Sequence, residues 1–213
     1  LENRGIDPDK ASAKEIRAAI AAYADEQAQG VGYDQADVNS EAFKKWFGDS
    51  KVVDENGDPL VVYHGGPSGI EAFDPEKIGS SWGYDQRGFF FTADKSEIPG
   101  GAGDYANRAK RDLGSGEVYA SYVKIERPYT LEQYAADAGA TVEAVSTYGG
   151  EQQPAITIYD EDREFIMEKV EEGGYDGIWF DTGVQPDGYR DDLVVAFSPT
   201  QIKSVNNRGT FDP

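Results

Sequence analysis

The chain has 213 residues, enough for one domain with an appendage or two small domains. It has no cysteine, which excludes a disulfide framework, a thiolate nucleophile and a sulfur-ligated zinc site. Forty acidic residues against twenty basic ones give a formal charge of −20, which repels phosphate backbones and excludes a broad nucleic-acid platform, though a compact pocket for a nucleotide is still permitted. A single histidine excludes the multi-histidine clusters of most transition-metal sites, and no metal site is expected.

The opening Leu1-Glu2-Asn3-Arg4 is neither a start methionine nor an apolar signal core, and no long hydrophobic run follows, so the chain reads as a soluble piece of something larger, with no membrane partner. Residues 12–29 are Ala-rich, with Ile16, Ile20 and Tyr23 at helical spacing and Gly30 as a stop, which predicts a helix; residues 30–39 read as linker. A helical N-terminal segment, 1–39, is thus set apart from the main domain, 40–213. Ser40 caps a short helix carrying Phe43, Trp46 and Phe47.

Next, Lys51-Val52-Val53 and Leu60-Val61-Val62-Tyr63 flank Asp54-Glu55-Asn56-Gly57-Asp58-Pro59, which predicts two strands around an Asn-Gly turn. The acidic turn is too short for an EF-hand calcium loop and lacks its closing bidentate glutamate. His64-Gly65-Gly66 ends the second strand, a loop runs to Gln86, and Gly88-Phe89-Phe90-Phe91-Thr92 reads as a short buried strand. Residues 96–110 contain a predicted helix, and residues 117–125 a strand closed by Pro128. Residues 130–155 read as a short helix plus a loop. Residues 160–172 form a charged amphipathic helix with Phe165, Ile166 and Val170 inward and Gly173-Gly174 as its cap. Ile178-Trp179-Phe180 and Leu193-Val194-Val195-Ala196-Phe197 complete the strands.

Val62-Tyr63-His64-Gly65-Gly66 puts an imidazole beside backbone that a ligand can approach closely, because glycine has no side chain to intervene. Some twenty-five residues on comes the aromatic strand, and about a dozen beyond that Tyr105-Ala106 on a predicted helix. Each piece alone has a plain reading as turn or core. Their combination at these separations is much more specific.

On these residues, together with Gly174-Tyr175-Asp176-Gly177-Ile178 and the ending Phe197-Ser198-Pro199-Thr200-Gln201-Ile202-Lys203-Ser204, the chain from about Ser40 to Pro213 resembles the ADP-ribosyltransferases of the diphtheria toxin and poly(ADP-ribose) polymerase clade. It is especially similar to the transferase domains of phage-type polyvalent proteins. The resemblance implies an α+β fold in which two split antiparallel sheets clasp NAD, the substrate. It implies that His64 hydrogen-bonds ribose hydroxyls, that the Gly65 backbone pairs with the nicotinamide carboxamide and that Tyr105 stacks on the nicotinamide ring. Tyr63 and Thr92 would line the same site, and Phe90 falls where the family often has its first tyrosine, keeping a stacking face but no hydroxyl.

The resemblance also implies a carboxylate at the start of the last long strand. Counting back from Phe197 favours Asp192 as the third catalytic element beside His64 and Tyr105, with Asp191 and Gln201 as alternatives. Side chains alternate along a strand, so a shift of one residue decides which face the carboxylate takes. The expected activity is transfer of ADP-ribose from NAD to a macromolecular acceptor, a host protein, as a toxin or effector would do. An NAD glycohydrolase and a non-catalytic NAD-binding virion module are the alternatives. Host cytoplasm, phage particle and secretion all remain open. The absence of G-x-G-x-x-G and of βαβ alternation argues against a Rossmann domain.

Overall fold

The computed structural model describes residues 36–78, 87–97, 101–139, 144–146, 152–154, 160–180 and 193–207. The predicted helix at 12–29 lies outside them.

Helix α1 (Glu41–Phe47) begins where Ser40 accepts a hydrogen bond from the Phe43 amide at 3.1 Å, as its sequence foretold. The Asn-Gly turn that follows is a minimal one. Val53 and Pro59 form an isolated bridge, Asp54 closes the loop by accepting from the Asn56 and Asp58 amides, and the strand proper, β1 (Val62–Gly66), starts later than predicted. Two sheets follow. The first orders β1, β3 (Glu117–Val123) and β9 (Ile202–Ser204), all antiparallel. The second orders β2 (Phe89–Phe91), β8 (Leu193–Ala196), β7 (Gly177–Phe180) and β4 (Pro128–Thr130). A hairpin of β5 (Ala144–Ser146) and β6 (Gln152–Pro154) stands apart from both.

Side-chain alternation sorts these strands into three layers. Val62, Phe89, Phe91, Val123, Trp179, Val194 and Ala196 meet between the two sheets. On the far side of the second sheet, Tyr129, Ile178, Phe180 and Val195 pack against α3 (Leu131–Asp137) and α4 (Asp160–Gly173) through Tyr134, Ile166 and Val170. On the far side of the first sheet, Phe43, Trp46 and Phe47 of α1 pack on Tyr122 and Val205. Helix α2 (Ala102–Leu113) covers the same sheet at β1 and β3.

β4 departs from the sequence reading in two ways. Pro128 does not close β3; it opens β4, an edge strand where a residue without an N–H is tolerated. β4 pairs parallel with β7, so the second sheet is mixed, and α3 and α4 lie in the crossover between those strands. Gly88, at φ +133°, lets β2 press against β8, since a Cβ there would stand 2.6 Å from Val195 Cγ1.

Candidate functional site

The two sheets touch where β1 meets the end of β2. Tyr63 and Thr92 exchange both backbone hydrogen bonds, at 2.8 and 3.0 Å. One residue on, the half-buried His64 adds a side-chain tie between the sheets: its Nδ1–H donates to the Phe90 carbonyl at 2.8 Å. A carbonyl only accepts, so in the neutral ring Nδ1 carries the proton and Nε2 keeps its lone pair. The rings of Phe73 and Phe91 lie 5.2 and 5.7 Å away. Burial in this aromatic setting pushes the His64 pKa below its ordinary 6.5, and the hydrogen bond to Phe90 opposes the shift only in part.

The register of β1 determines what Gly65 offers. In an antiparallel ladder, successive residues direct their N–H and C=O to alternate edges. Tyr63 spends both groups on Thr92, away from β3, so Gly65, two residues on, faces that same edge. Among the described residues no group takes the Gly65 N–H or C=O, although the residue is buried. A buried amide and carbonyl left open side by side are costly without a partner and complementary to a ligand that supplies both an acceptor and a donor.

Helix α2 closes one side of this edge. Its inward face is small, with Ala102, Ala106 and Ala109 buried, and Gly65 lies so close to Ala102, Tyr105 and Ala106 that any Cβ would collide with the helix backbone. Tyr105 is thereby fixed beside Gly65 while 38% of it stays exposed. The Arg108 guanidinium lies 5.4 Å from its ring centroid and pairs with Asp104 at 2.8 Å. The helix start is capped by a loop rather than by its own side chain. Ala102 and Gly103 donate to the Asp94 and Ser96 carbonyls, and the Asp94 carboxylate accepts from the Ser96 amide and hydroxyl at 2.9 and 2.6 Å. The helix therefore begins at Ala102 rather than at 96, with the Asp94-Lys95-Ser96 turn supplying its cap from outside.

His64, Gly65 and Tyr105 are thus brought together, with His64 and Tyr105 on opposite faces of β1 and the open Gly65 edge between them. Tyr63 and Thr92 contribute backbone; the buried Thr92 also accepts from the Asp94 amide through Oγ1 at 3.2 Å. Phe90 is placed otherwise than expected. Phe89 and Phe91 take the inter-sheet face, so alternation sends the Phe90 ring to the α4 side, and only its carbonyl reaches His64. Gln201 is fully committed elsewhere. Its Oε1 accepts from the Phe197 and Ser198 amides, and its Nε2 donates to the Lys124 and Asp176 carbonyls at 3.0 and 2.7 Å, leaving nothing for a ligand. Asp191 and Asp192 lie outside the described residues.

A pocket of about 480 Å³ between α4 and the second sheet, lined by Arg87, Met167, Tyr175 and Phe197 among others, includes none of the site residues. Its polar rim, Arg87 with Glu171 at 3.4 Å, is an exposed ion pair. The backbone edge at Gly65 is the better candidate because its unpaired groups are specific in kind and direction. No helix among the described residues is long and apolar enough to cross a membrane.

The family model described as ADP-Ribosyltransferase in polyvalent proteins matches residues 54–211. No curated protein and no solved structure matches the chain.

Proposed function

This chain belongs to the ADP-ribosyltransferases of polyvalent proteins, and from that premise we propose that it transfers ADP-ribose from NAD to a macromolecular acceptor, a host protein, with nicotinamide as the leaving group. The observation that carries the proposal is the open Gly65 edge between His64 and Tyr105. A nicotinamide carboxamide matches it group for group: its oxygen accepts from the Gly65 N–H, and its NH₂ donates to the Gly65 carbonyl. Tyr105 then lies where its ring can stack on the pyridine, a contact worth roughly 0.5–1.5 kcal/mol beyond buried area. His64, with Nδ1–H anchored on Phe90, offers Nε2 to a ribose hydroxyl.

In the reaction, the bond between ribose C1′ and the pyridine nitrogen breaks and its electron pair goes to that nitrogen, removing the ring's positive charge. The acceptor's nucleophile forms the new bond to C1′ and gives up its proton. Positive charge builds on the ribose in between, and a carboxylate beside it stabilises that charge. We assign this task to Asp192. It is the acid that immediately precedes β8 in the sequence, where the family resemblance expects a carboxylate.

Incubating the protein with labelled NAD and a host lysate tests the proposal. Label on macromolecules is the expected outcome. Free ADP-ribose without macromolecular label would replace transfer by glycohydrolysis, and neither product would leave a non-catalytic module.

A further inference from the structure

The Gly65-Gly66 segment has no side chain to hold it, yet its open edge is useful to a ligand only if it is already in place. Helix α2 braces one side, at Gly65. The other side continues into the loop 67–70, and here one hydroxyl does what the glycines cannot. Tyr119, directly across the ladder from His64, donates to the Pro67 carbonyl at 2.7 Å and accepts from the Ile70 amide at 3.0 Å, closing the loop at both ends. Ser115 adds a weaker tie, accepting from the Ser68 amide at 3.3 Å. The Glu117 carboxylate lies 3.2 Å from the same hydroxyl, but its single proton is directed to Pro67 by the shorter contact. Ile70, held by this clamp, stands against Gly66, and the Tyr119 and His64 ring centroids are 6.3 Å apart.

We propose that Tyr119 is a positioning residue for the nicotinamide end of the site: by clamping Pro67 and Ile70 it holds Gly65-Gly66 in the conformation that presents the Gly65 N–H and C=O. The inference rests on the carboxamide reading of Gly65 given above. Tyr119 itself need not touch the ligand. Its hydroxyl acts before binding, by removing the freedom that two adjacent glycines would otherwise have to lose on association.

The test is Tyr119→Phe, which keeps the ring and removes the clamp, assayed in three ways in the full chain. Nicotinamide affinity and the KM for NAD should weaken about threefold to tenfold, the range for one or two lost hydrogen bonds, with kcat nearly unchanged. Amide exchange at residues 65–70 should quicken in the variant while the melting temperature stays close to wild type. In the wild type, the Ile70 amide should be protected. Unchanged nicotinamide affinity in a folded Tyr119→Phe protein would overturn the inference, and so would a freely exchanging Ile70 amide in the wild type, a measurement that does not depend on the variant folding. A wild type that binds neither nicotinamide nor NAD would instead overturn the carboxamide reading, and the exchange data would still decide whether Tyr119 holds the loop.

Discussion

Because the chain has one histidine, an imidazole titration seen in this protein belongs to His64. The folded ring holds its proton less tightly than the unfolded one, so the unfolded chain binds more protons between the ordinary 6.5 and the lower folded value, and stability rises with pH across that window. The contribution is whole above pH 6.5 and is lost as pH falls toward the folded pKa. NAD affinity should decline on the same descent, because a protonated Nε2 no longer accepts from a ribose hydroxyl. Calorimetric titration of NAD at pH 7.5 and pH 5 checks this. His64→Ala should lose on the order of 1–3 kcal/mol of affinity at pH 7.5 and show a much flatter pH response. An unaltered pH response in that variant would place the titrating group elsewhere. The third catalytic element has a matching test in turnover: Asp192→Asn should cut transfer strongly while NAD binds within a few-fold of wild type, and Asp191→Asn should do little. The reverse pattern would move the assignment from Asp192 to Asp191.

At the scale of elements, what was legible in the sequence had a local cause, and what was not depended on distant partners. Ser40 with Phe43, Trp46 and Phe47 announces α1 because cap and apolar face both lie within a few residues. The His64-Gly65 strand end and Tyr105 were readable for a similar reason, since each motif is contiguous. The Phe90 ring was not: three consecutive phenylalanines carry no polar alternation, and only pairing with β8 decides which face the middle one takes. β4 and β9, three residues each, gave too few positions for a period, and Pro128 argued against a strand until an edge was known to exist. Gln201 lay within a motif the resemblance carried, but sequence could not tell a ligand-facing amide from one spent on four backbone groups. Its bonds join the end of β8 to residues flanking β3 and β7, so Gln201→Ala should cost on the order of 2–4 kcal/mol through the amides and carbonyls it strands. Urea unfolding measures that loss. A neutral substitution would mean that water satisfies those groups as well as the side chain does.

Over the whole molecule, two clamps set how the sheets meet: the Tyr63–Thr92 and His64–Phe90 bonds near the open Gly65 edge, and the Gln201 network at the far end of β8. Buried packing begins before the family match at residue 54: Phe43 of α1 is buried on the first sheet and Val52 in the core between the sheets. The charge of −20 acts on each partner according to that partner's own sign. NAD is net negative and is repelled over distances that salt screens, so its KM should fall as ionic strength rises from about 0.01 to 0.15 M. A basic acceptor protein should show the opposite trend in the same assay, its KM rising. An NAD KM that rises with salt would instead reveal a positive local field at the site strong enough to override the net charge.

We propose that Gly65, with His64 and Tyr105 on opposite faces of β1 beside it, receives the nicotinamide carboxamide. Titrating the ¹⁵N-labelled protein with nicotinamide tests it most directly, because the Gly65 amide proton is one of the two groups that would make the bond. The Gly65 amide should shift downfield and saturably, with smaller changes at its neighbours on β1 and at Tyr105. A Gly65 resonance that stays in place while amides elsewhere in the chain respond would contradict it.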